Sequence, residues 1–184
     1  MARKQAQAKS SASDLSWATN TAEETQAFAE QVGRLLKPGD VLALHGDLGS
    51  GKTTFVQGLV KGTGNAAAAV KSPTFVLVRE YPGAVPVVHI DAYRLSGSPA
   101  AAWLDVEQLI HPDKITVIEW AERLTELLPD QRIDIQMEHI STNRRRITLI
   151  GQGARGSQLH ASLAPTVQAP PESSSEETHG TLSD

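Results

Sequence analysis

The chain has 184 residues and a formal net charge of −4, and 40% of its residues are hydrophobic but only 4% are aromatic. This length allows one domain with an aliphatic core. The lack of cysteine excludes disulfides and thiolate metal sites and agrees with a cytoplasmic location. The acidic balance is unlike that of a protein that binds nucleic acid alone, and no apolar run approaches the roughly 20 residues of a membrane span.

Both ends of the chain are predicted to be disordered. Residues 1–13 consist mainly of Ala, Ser, Lys and Gln, and residues 152–184 are rich in Gly, Ser, Pro and Glu. Neither segment has enough apolar residues to offset the entropy that is lost on ordering. We therefore expect the ordered domain to span residues 14–151.

The first predicted helix begins after Thr21. In the sequence TAEE, Thr21 can accept a hydrogen bond from the Glu24 amide while the Glu24 side chain reaches back, which is a capping box. An apolar stripe with helical spacing follows at Phe28, Val32, Leu35 and Leu36. The next predicted elements are a buried strand in DVLALHG and a helix in SGKTTFVQGLVKG.

The rest of the chain is predicted to contain two hairpins. TFVLVREY (74–81) pairs with VPVVHID (85–91), and RIDIQMEHI (132–140) pairs with RRRITLIG (144–151). A helix at 100–110, the strand ITVIEW and the short helix AERLTELL lie between the two hairpins. Hairpins mixed with helices and buried strands predict an α/β fold with a mixed sheet.

The stretch HGDLGSGKTTFVQGL contains a phosphate-binding loop. Its pattern G-x-x-x-x-G-K-[ST] is met by Gly46, Gly51, Lys52 and Thr53. The glycines let backbone N–H groups point at phosphate oxygens, and the next helix presents its positive end. Lys52 can reach the β- and γ-phosphates, and the Thr53 hydroxyl can bind magnesium. The motif predicts a triphosphate site in a P-loop NTPase-like three-layer fold with a mixed parallel and antiparallel central sheet.

A magnesium nucleotide site also requires a carboxylate at the end of a buried strand. Asp91 ends VPVVHID, and Glu119 ends ITVIE. One acid would hold the metal and the other would orient the attacking water, but the spacing does not assign the two roles. Either acid could instead be solvated at the sheet edge. His89 shares a strand face with Asp91 and is interpreted as a structural group.

Basic residues and absent motifs narrow the choice further. Arg94 either neutralises phosphate charge or is a surface arginine, and the run 144–146 is interpreted as solvated strand positions. The chain has no N-K-x-D motif and no D-x-x-G switch, which disfavours a small GTPase. It also has no Arg-rich lid of the kind that small-molecule kinases fold over their substrates, and LSGSP (95–99) follows the phosphate loop too closely for a transporter ATPase.

Four segments, GDLGSGKTTF, VKSPTF, HIDAYRL and VIEWAE, resemble in order and spacing the TsaE family (formerly YjeE) of bacterial ATPases. The resemblance covers about residues 18–150. It implies ATP and Mg²⁺ as cofactors, TsaD and TsaB as partner proteins, and contact with tRNA mainly through those partners. It also implies a division of labour between the partners. TsaD transfers the threonylcarbamoyl group to adenosine 37 of tRNA, and ATP hydrolysis by TsaE resets the TsaD–TsaB pair.

The resemblance also implies the roles of individual residues. It selects Thr53 and Glu119 as the magnesium ligands, and Asp91, Lys52 and Glu119 as the catalytic group. The residues that it implies for nucleotide binding are Leu48, Gly49, Ser50, Gly51, Lys52, Thr53, Thr54 and Trp120.

Other matches to the family are less direct. SPTF, from Ser72 to Phe75, resembles a switch-like loop near the γ-phosphate. Thr21–Thr25 and Asn143–Arg144 correspond loosely to segments that approach the base. The chain departs from the family at Ser50, where alanine is common, and at Ala92, where a larger apolar residue is usual.

Three functions fit a chain with a phosphate loop. The favoured one is an accessory ATPase of tRNA modification, whose hydrolysis is slow until a partner orders the switch-like loop. A small-molecule kinase would need a substrate pocket and a lid, and the sequence indicates neither. A nucleotide-dependent binding module without catalysis would not need two strand-end carboxylates.

Overall fold

The structure is a computed structural model that describes residues 15–65, 70–74, 76–95 and 109–164. Within these residues, three α-helices are α1 (Ala22–Leu35), α2 (Lys52–Gly62) and α3 (Gly153–Leu163), and a 3₁₀ helix spans Ala121–Leu127. The strands are β1 (Leu15–Thr19), β2 (Val41–His45), β3 (Val78–Tyr81), β4 (Val87–Asp91), β5 (Ile115–Glu119), β6 (Arg132–His139) and β7 (Arg145–Gln152). None of the described helices has the length and apolar character that a membrane span requires.

These strands form one mixed sheet in the order β1-β7-β6-β2-β5-β4-β3. The four neighbours β6, β2, β5 and β4 are parallel, whereas β1, β7 and β3 join the sheet by antiparallel pairing. The predicted mixed sheet and both predicted hairpins are confirmed. The carboxyl ends of β2, β4 and β5 lie at one edge of the sheet, which is where ligands bind in open α/β folds.

Helix α1 begins where the sequence pattern predicts. Thr21 Oγ1 accepts a hydrogen bond from the Glu24 amide at 3.1 Å. The Glu24 carboxylate accepts from the backbone amide of Asn20 at 2.7 Å, one residue before the Thr21 amide that a capping box would use. Helices α1 and α2 pack so closely that only a glycine fits at position 58. A Cβ on Gly58 would lie 2.1 Å from the carbonyl oxygen of Gln26. This contact fixes the axis of α2 behind the phosphate loop.

Two apolar layers cover the sheet, which gives the three-layer architecture. On one face, helices α1, α2 and α3 cover a core that includes Leu42 and Leu44 of β2. On the other face, the 3₁₀ helix packs over Ala43, Ile90 and Ile118. Successive residues of a strand point to opposite faces, so β2 contributes to both layers and is buried on both sides.

Some predicted boundaries are wrong. Residues 152–163 are not a disordered tail but complete β7 and form α3, and β1 is a strand that was not predicted. Strand β3 begins at Val78 because the preceding chain turns, with a φ of 67° at Leu77. The segment AERLTELL is a 3₁₀ helix with a break at Leu124. The predicted tail 1–13, residues 165–184 of the predicted tail 152–184, and most of the predicted helix 100–110 lie outside the described residues.

Helix α3 is held by one ion pair and a few buried groups. The Arg155 guanidinium donates two hydrogen bonds to the Asp40 carboxylate, at 2.7 and 2.6 Å. Leu159 and Leu163 are buried in the core below the sheet. These contacts offset the entropy of ordering a segment whose polar composition favours disorder.

Candidate functional site

The phosphate loop joins β2 to α2 through three glycines with left-handed backbone angles. Gly46, Gly49 and Gly51 have φ angles of 139°, 79° and 102°. Such angles strain any residue that has a Cβ, and a Cβ on Gly46 would also lie 2.3 Å from the carbonyl oxygen of Met137. Gly51 is the N-cap of α2 and offers no side chain to its first amides. The N–H groups of that first turn are therefore available to donate hydrogen bonds to an anion bound in the loop.

Lys52 is folded back into this loop. Its Nζ donates to the carbonyl oxygens of Gly46 and Asp47 at 2.6 and 2.9 Å, and it lies 3.8 Å from the centre of the Trp120 ring. Burial lowers the pKa of Lys52, and the negative charge of Glu119 opposes this effect. The site thus holds a partly desolvated cation close to where phosphate charge would lie.

Thr53 and Glu119 meet beside the loop. The Thr53 hydroxyl donates to Glu119 Oε1 and Oε2 at 2.9 and 3.1 Å, and Nε2 of His89 lies 2.8 Å from Oε1. Glu119 is only 2% exposed, although it carries a carboxylate. A hydroxyl and a carboxylate at this distance are the oxygen ligands that Mg²⁺ prefers.

Asp91 lies next to Glu119 but has different partners. The two residues are register partners on the parallel strands β4 and β5. Asp91 Oδ2 accepts from the hydroxyls of Ser72 and Thr74 at 2.6 and 2.5 Å, and Oδ1 accepts from the amide of Tyr93 at 2.9 Å. Asp91 therefore fixes the segment 72–74, which is the described part of the predicted switch-like loop.

Trp120 forms an aromatic wall at the site. It adopts a left-handed conformation with a φ of 58° where β5 ends. Its ring packs on Tyr93 with 4.9 Å between the ring centres, and the Arg123 guanidinium lies 5.4 Å from the Trp120 ring centre. Neither Tyr93 nor Arg123 was predicted from the sequence as a site residue, although Tyr93 is part of the HIDAYRL segment.

These groups surround one cleft of about 480 Å³. All predicted catalytic, metal and nucleotide residues line the cleft except Ser50. Ser50 is fully buried, its amide donates to the Asp47 carbonyl oxygen, and its hydroxyl lies 3.4 Å from Lys52 Nζ. Arg94, which was considered from the sequence as a group that neutralises phosphate charge, is exposed on the turn after β4.

A second cleft of about 360 Å³ continues past Gly49 and Thr54. Its walls include residues 20–23 and Thr25 at the start of α1 and residues 142, 143 and 145 at the β6–β7 turn. The predicted base segments therefore do lie near the loop, but Arg145 lines this cleft where Arg144 was expected. Nη2 of Arg145 donates a long hydrogen bond of 3.4 Å to the Gly49 carbonyl oxygen.

Residues 19–147 match the model of the family described as "Threonylcarbamoyl adenosine biosynthesis protein TsaE". The chain belongs to the TsaE family. It is 38% identical over 151 residues to the tRNA threonylcarbamoyladenosine biosynthesis protein TsaE of Bacillus subtilis, covering 82% of this chain and 94% of the relative. The TsaE of Streptomyces coelicolor is 36% identical, with 74% and 96% covered.

A solved structure agrees with this assignment. The crystal structure of Bacillus subtilis YdiB superposes with a TM-score of 0.73 at 35% sequence identity. The match covers 84% of this chain and 97% of YdiB. The TsaE resemblance and the P-loop α/β fold expected from the sequence are both confirmed.

Proposed function

We propose that this chain is a magnesium-dependent ATPase required for the threonylcarbamoyladenosine modification of tRNA position 37. It acts on the TsaD–TsaB complex and allows that complex to turn over. The observation that carries the ATPase activity is the hydrogen bond from Thr53 to Glu119 beside the glycine-rich loop of Lys52. In a P-loop ATPase the same hydroxyl and carboxylate lie next to the metal and the phosphates.

The donor set fits magnesium that arrives with a nucleotide. Among the residues that the structure describes, no group of three or more His, Cys, Asp and Glu could hold a metal. Magnesium bound to a nucleotide needs few protein ligands, because phosphates and waters supply the rest. Thr53 and Glu119 are the residues that would hold it. Once bound, the ion neutralises phosphate charge and so favours attack at the γ-phosphate.

The remaining residues of the cleft have separate roles in the proposed reaction. Backbone amides of the loop and the Lys52 ammonium bind the phosphates, and Trp120 shields the Lys52 charge from water. Asp91 orients the attacking water. The second cleft, beyond Gly49 and Thr54, is large enough to accept a nucleoside and would receive the adenosine end of ATP.

The contacts of Asp91 support slow hydrolysis by the chain alone. Its carboxylate already accepts three hydrogen bonds, from Ser72, Thr74 and the Tyr93 amide. A general base must be free to bind the proton of the attacking water. Movement of the segment 72–74 would free Asp91, and a partner that moves this segment would stimulate hydrolysis.

The proposed partners follow from the family. TsaE proteins are named for tRNA threonylcarbamoyladenosine biosynthesis, and the threonylcarbamoyl transfer itself is expected of TsaD. The net charge of −4 gives the chain little electrostatic attraction for tRNA, so contact with tRNA would be mainly indirect, through TsaD and TsaB.

The deciding experiment measures phosphate release from ATP by the purified chain alone, with TsaD and TsaB, and with both plus tRNA. We expect slow turnover alone and clear stimulation by the TsaD–TsaB pair. Lys52→Ala is the matched control for contaminating ATPases. Turnover that appears only with a small-molecule phosphate acceptor would identify a kinase, and nucleotide binding without turnover in every mixture would identify a binding module.

A further inference from the structure

His89 is a buried polar residue to which the proposed reaction gives no role. It lies on β4, is completely buried, and shares a strand face with Asp91. Its Nε2 lies 2.8 Å from Oε1 of Glu119, which is a normal hydrogen-bond distance. An ionised carboxylate can only accept hydrogen bonds, so the Nε2–H group of His89 donates a hydrogen bond to Oε1 of Glu119.

The Nδ1 edge of the imidazole lies near Tyr81 of strand β3. The Tyr81 hydroxyl lies 3.5 Å from Nδ1 of His89, at the outer limit of hydrogen bonding, and also 3.5 Å from the Lys71 carbonyl oxygen. The Tyr81 ring and the imidazole are 6.2 Å apart at an angle of 31°. Tyr81 is itself 7% exposed. Packing against this ring restricts the imidazole to the orientation in which Nε2 faces Glu119.

We propose that His89 is a positioning residue that fixes the Glu119 carboxylate for magnesium. His89 and Thr53 both donate to Oε1, whereas Oε2 accepts only the longer of the two Thr53 contacts among the described hydrogen bonds. Oε2 thus keeps more of its lone-pair capacity for the ion. This inference rests on the proposed function, because the role of His89 is to position Glu119, the proposed magnesium ligand of the nucleotide site.

The Glu119 carboxylate is buried and depends on protein donors. Glu119 and His89 are both almost without solvent contact, so a carboxylate that loses the imidazole donor cannot replace it with bulk water. It would turn towards its remaining donor, Thr53, and this change of position weakens a metal ligand. Loss of a group that orients a metal ligand typically costs about 10- to 100-fold in metal affinity.

The test compares two amide variants, His89→Gln and His89→Asn. The Gln amide nitrogen reaches about the position of Nε2, whereas Asn ends near Nδ1 and falls short of Glu119. Affinity for the non-hydrolysable analogue AMP-PNP is measured by calorimetry with excess MgCl₂ and with EDTA. For His89→Asn we expect the magnesium-dependent part of the affinity to fall about 10- to 100-fold, with little change in EDTA. His89→Gln should restore most of that loss.

The controls separate this inference from the proposed function. Thermal unfolding checks that each variant folds, and His89→Leu, which keeps the volume without a donor, replaces His89→Asn if that variant does not fold. Unchanged magnesium dependence in His89→Asn or His89→Leu, or equal losses in the Gln and Asn variants, would overturn the positioning role alone. If the wild-type chain bound AMP-PNP no better with magnesium than with EDTA, the magnesium site would fail and the inference with it.

Discussion

Asp91 and Glu119 are register partners at the ends of β4 and β5, yet their carboxylates bind different parts of the chain. Glu119 accepts from Thr53 in the first turn of α2, and Asp91 accepts from Ser72 in the segment that follows residue 70. Parallel strands bring the two acids to one edge of the sheet, and their separate donors hold the two carboxylates against different segments. This difference can be tested by replacing each acid with its amide.

We predict that Glu119→Gln impairs magnesium-dependent nucleotide binding, whereas Asp91→Asn impairs ATP hydrolysis. Glu119→Gln should lose the magnesium-dependent part of AMP-PNP binding and keep most metal-free binding, because it removes the anionic oxygen next to Thr53. Asp91→Asn should still bind the magnesium complex, but its ATP hydrolysis should fall about 100-fold or more if Asp91 orients the attacking water. Calorimetry and phosphate release measure the two effects.

The reversed result would exchange the two roles. If Asp91→Asn lost the magnesium dependence and Glu119→Gln kept it, Asp91 would be the metal ligand. Ser72→Ala is a useful companion to Asp91→Asn, because it removes one donor from the carboxylate and leaves the charge in place. Its hydrolysis rate in the absence of partners should be equal to or higher than that of the wild type.

We expect Lys52 to make nucleotide binding sensitive to alkaline pH. Burial lowers the pKa of its ammonium below the ordinary value of 10.5. The charge proposed to bind phosphate is therefore complete below this lowered pKa and is lost as the pH rises through it. We predict that AMP-PNP affinity falls at a lower pH than an ordinary lysine would allow, as measured by titration at a series of pH values.

Two substitutions at the same position serve as controls for the pH profile. Lys52→Ala should abolish nucleotide binding or hydrolysis at every pH. Lys52→Arg keeps a positive charge across the range, because arginine does not lose its proton there. If residual binding by Lys52→Arg showed the same alkaline loss as the wild type, a group other than Lys52 would be responsible.

The sequence predicts the glycine-rich loop between β2 and α2 well because its signals are local. The loop glycines, Lys52 and Thr53 follow a buried strand and begin a helix, and each requirement can be read within a short segment. The contact between Thr53 and Glu119 is different. It joins residues 66 positions apart, and the parallel pairing of strands that creates it has no signature in either segment.

The errors at the C-terminal end have a similar cause. The composition of residues 152–163 is that of a flexible segment, and only the fold shows that Asp40 lies within reach of Arg155. Strand β1 was missed because its sequence, LSWAT, is short and lies beside a polar terminus. Its antiparallel partner is β7, more than one hundred residues later in the chain. Long-range partners decide such segments, and a local pattern does not contain them.

Asp134 should make stability depend on acid pH. Burial alone would raise its pKa, but hydrogen bonds from His45, Arg132 and Gln152 and the charge of Arg132 hold the pKa below its ordinary value of 3.8. Its contribution to stability is therefore present above that ordinary value and is lost as the pH falls through the lower pKa of the folded state.

We predict that Asp134→Asn lowers the free energy of unfolding by about 2 kcal/mol at neutral pH, as measured in urea. The difference from the wild type should shrink as the pH falls towards the pKa of the folded state. Asp113→Asn is the matched control, because its side chain is 85% exposed and should change stability little. A difference that stayed constant with pH would mean that the charge of Asp134 is not what stabilises the fold.

The ion pair between Arg155 and Asp40 should stabilise the fold without affecting the chemistry. Asp40 is only 5% exposed and accepts both Arg155 hydrogen bonds, which raise the pKa of the Arg155 guanidinium. Arg155→Met leaves that carboxylate without its cation, so we predict a loss of about 2 kcal/mol in the free energy of unfolding. Arg34→Met removes an exposed cation paired with Glu30 and should cost much less.

The position of this ion pair makes the prediction specific. Asp40 precedes β2, whereas the phosphate loop follows it, so the pair lies at the end of the strand away from the cleft. Below its melting temperature, Arg155→Met should therefore hydrolyse ATP at the wild-type rate. Two truncations extend the test: a chain that ends at residue 164 keeps α3 and should match the wild type in stability, whereas a chain that ends at residue 154 should be destabilised at least as much as Arg155→Met. Equal stability of the two truncated chains would show that α3 contributes nothing to the fold.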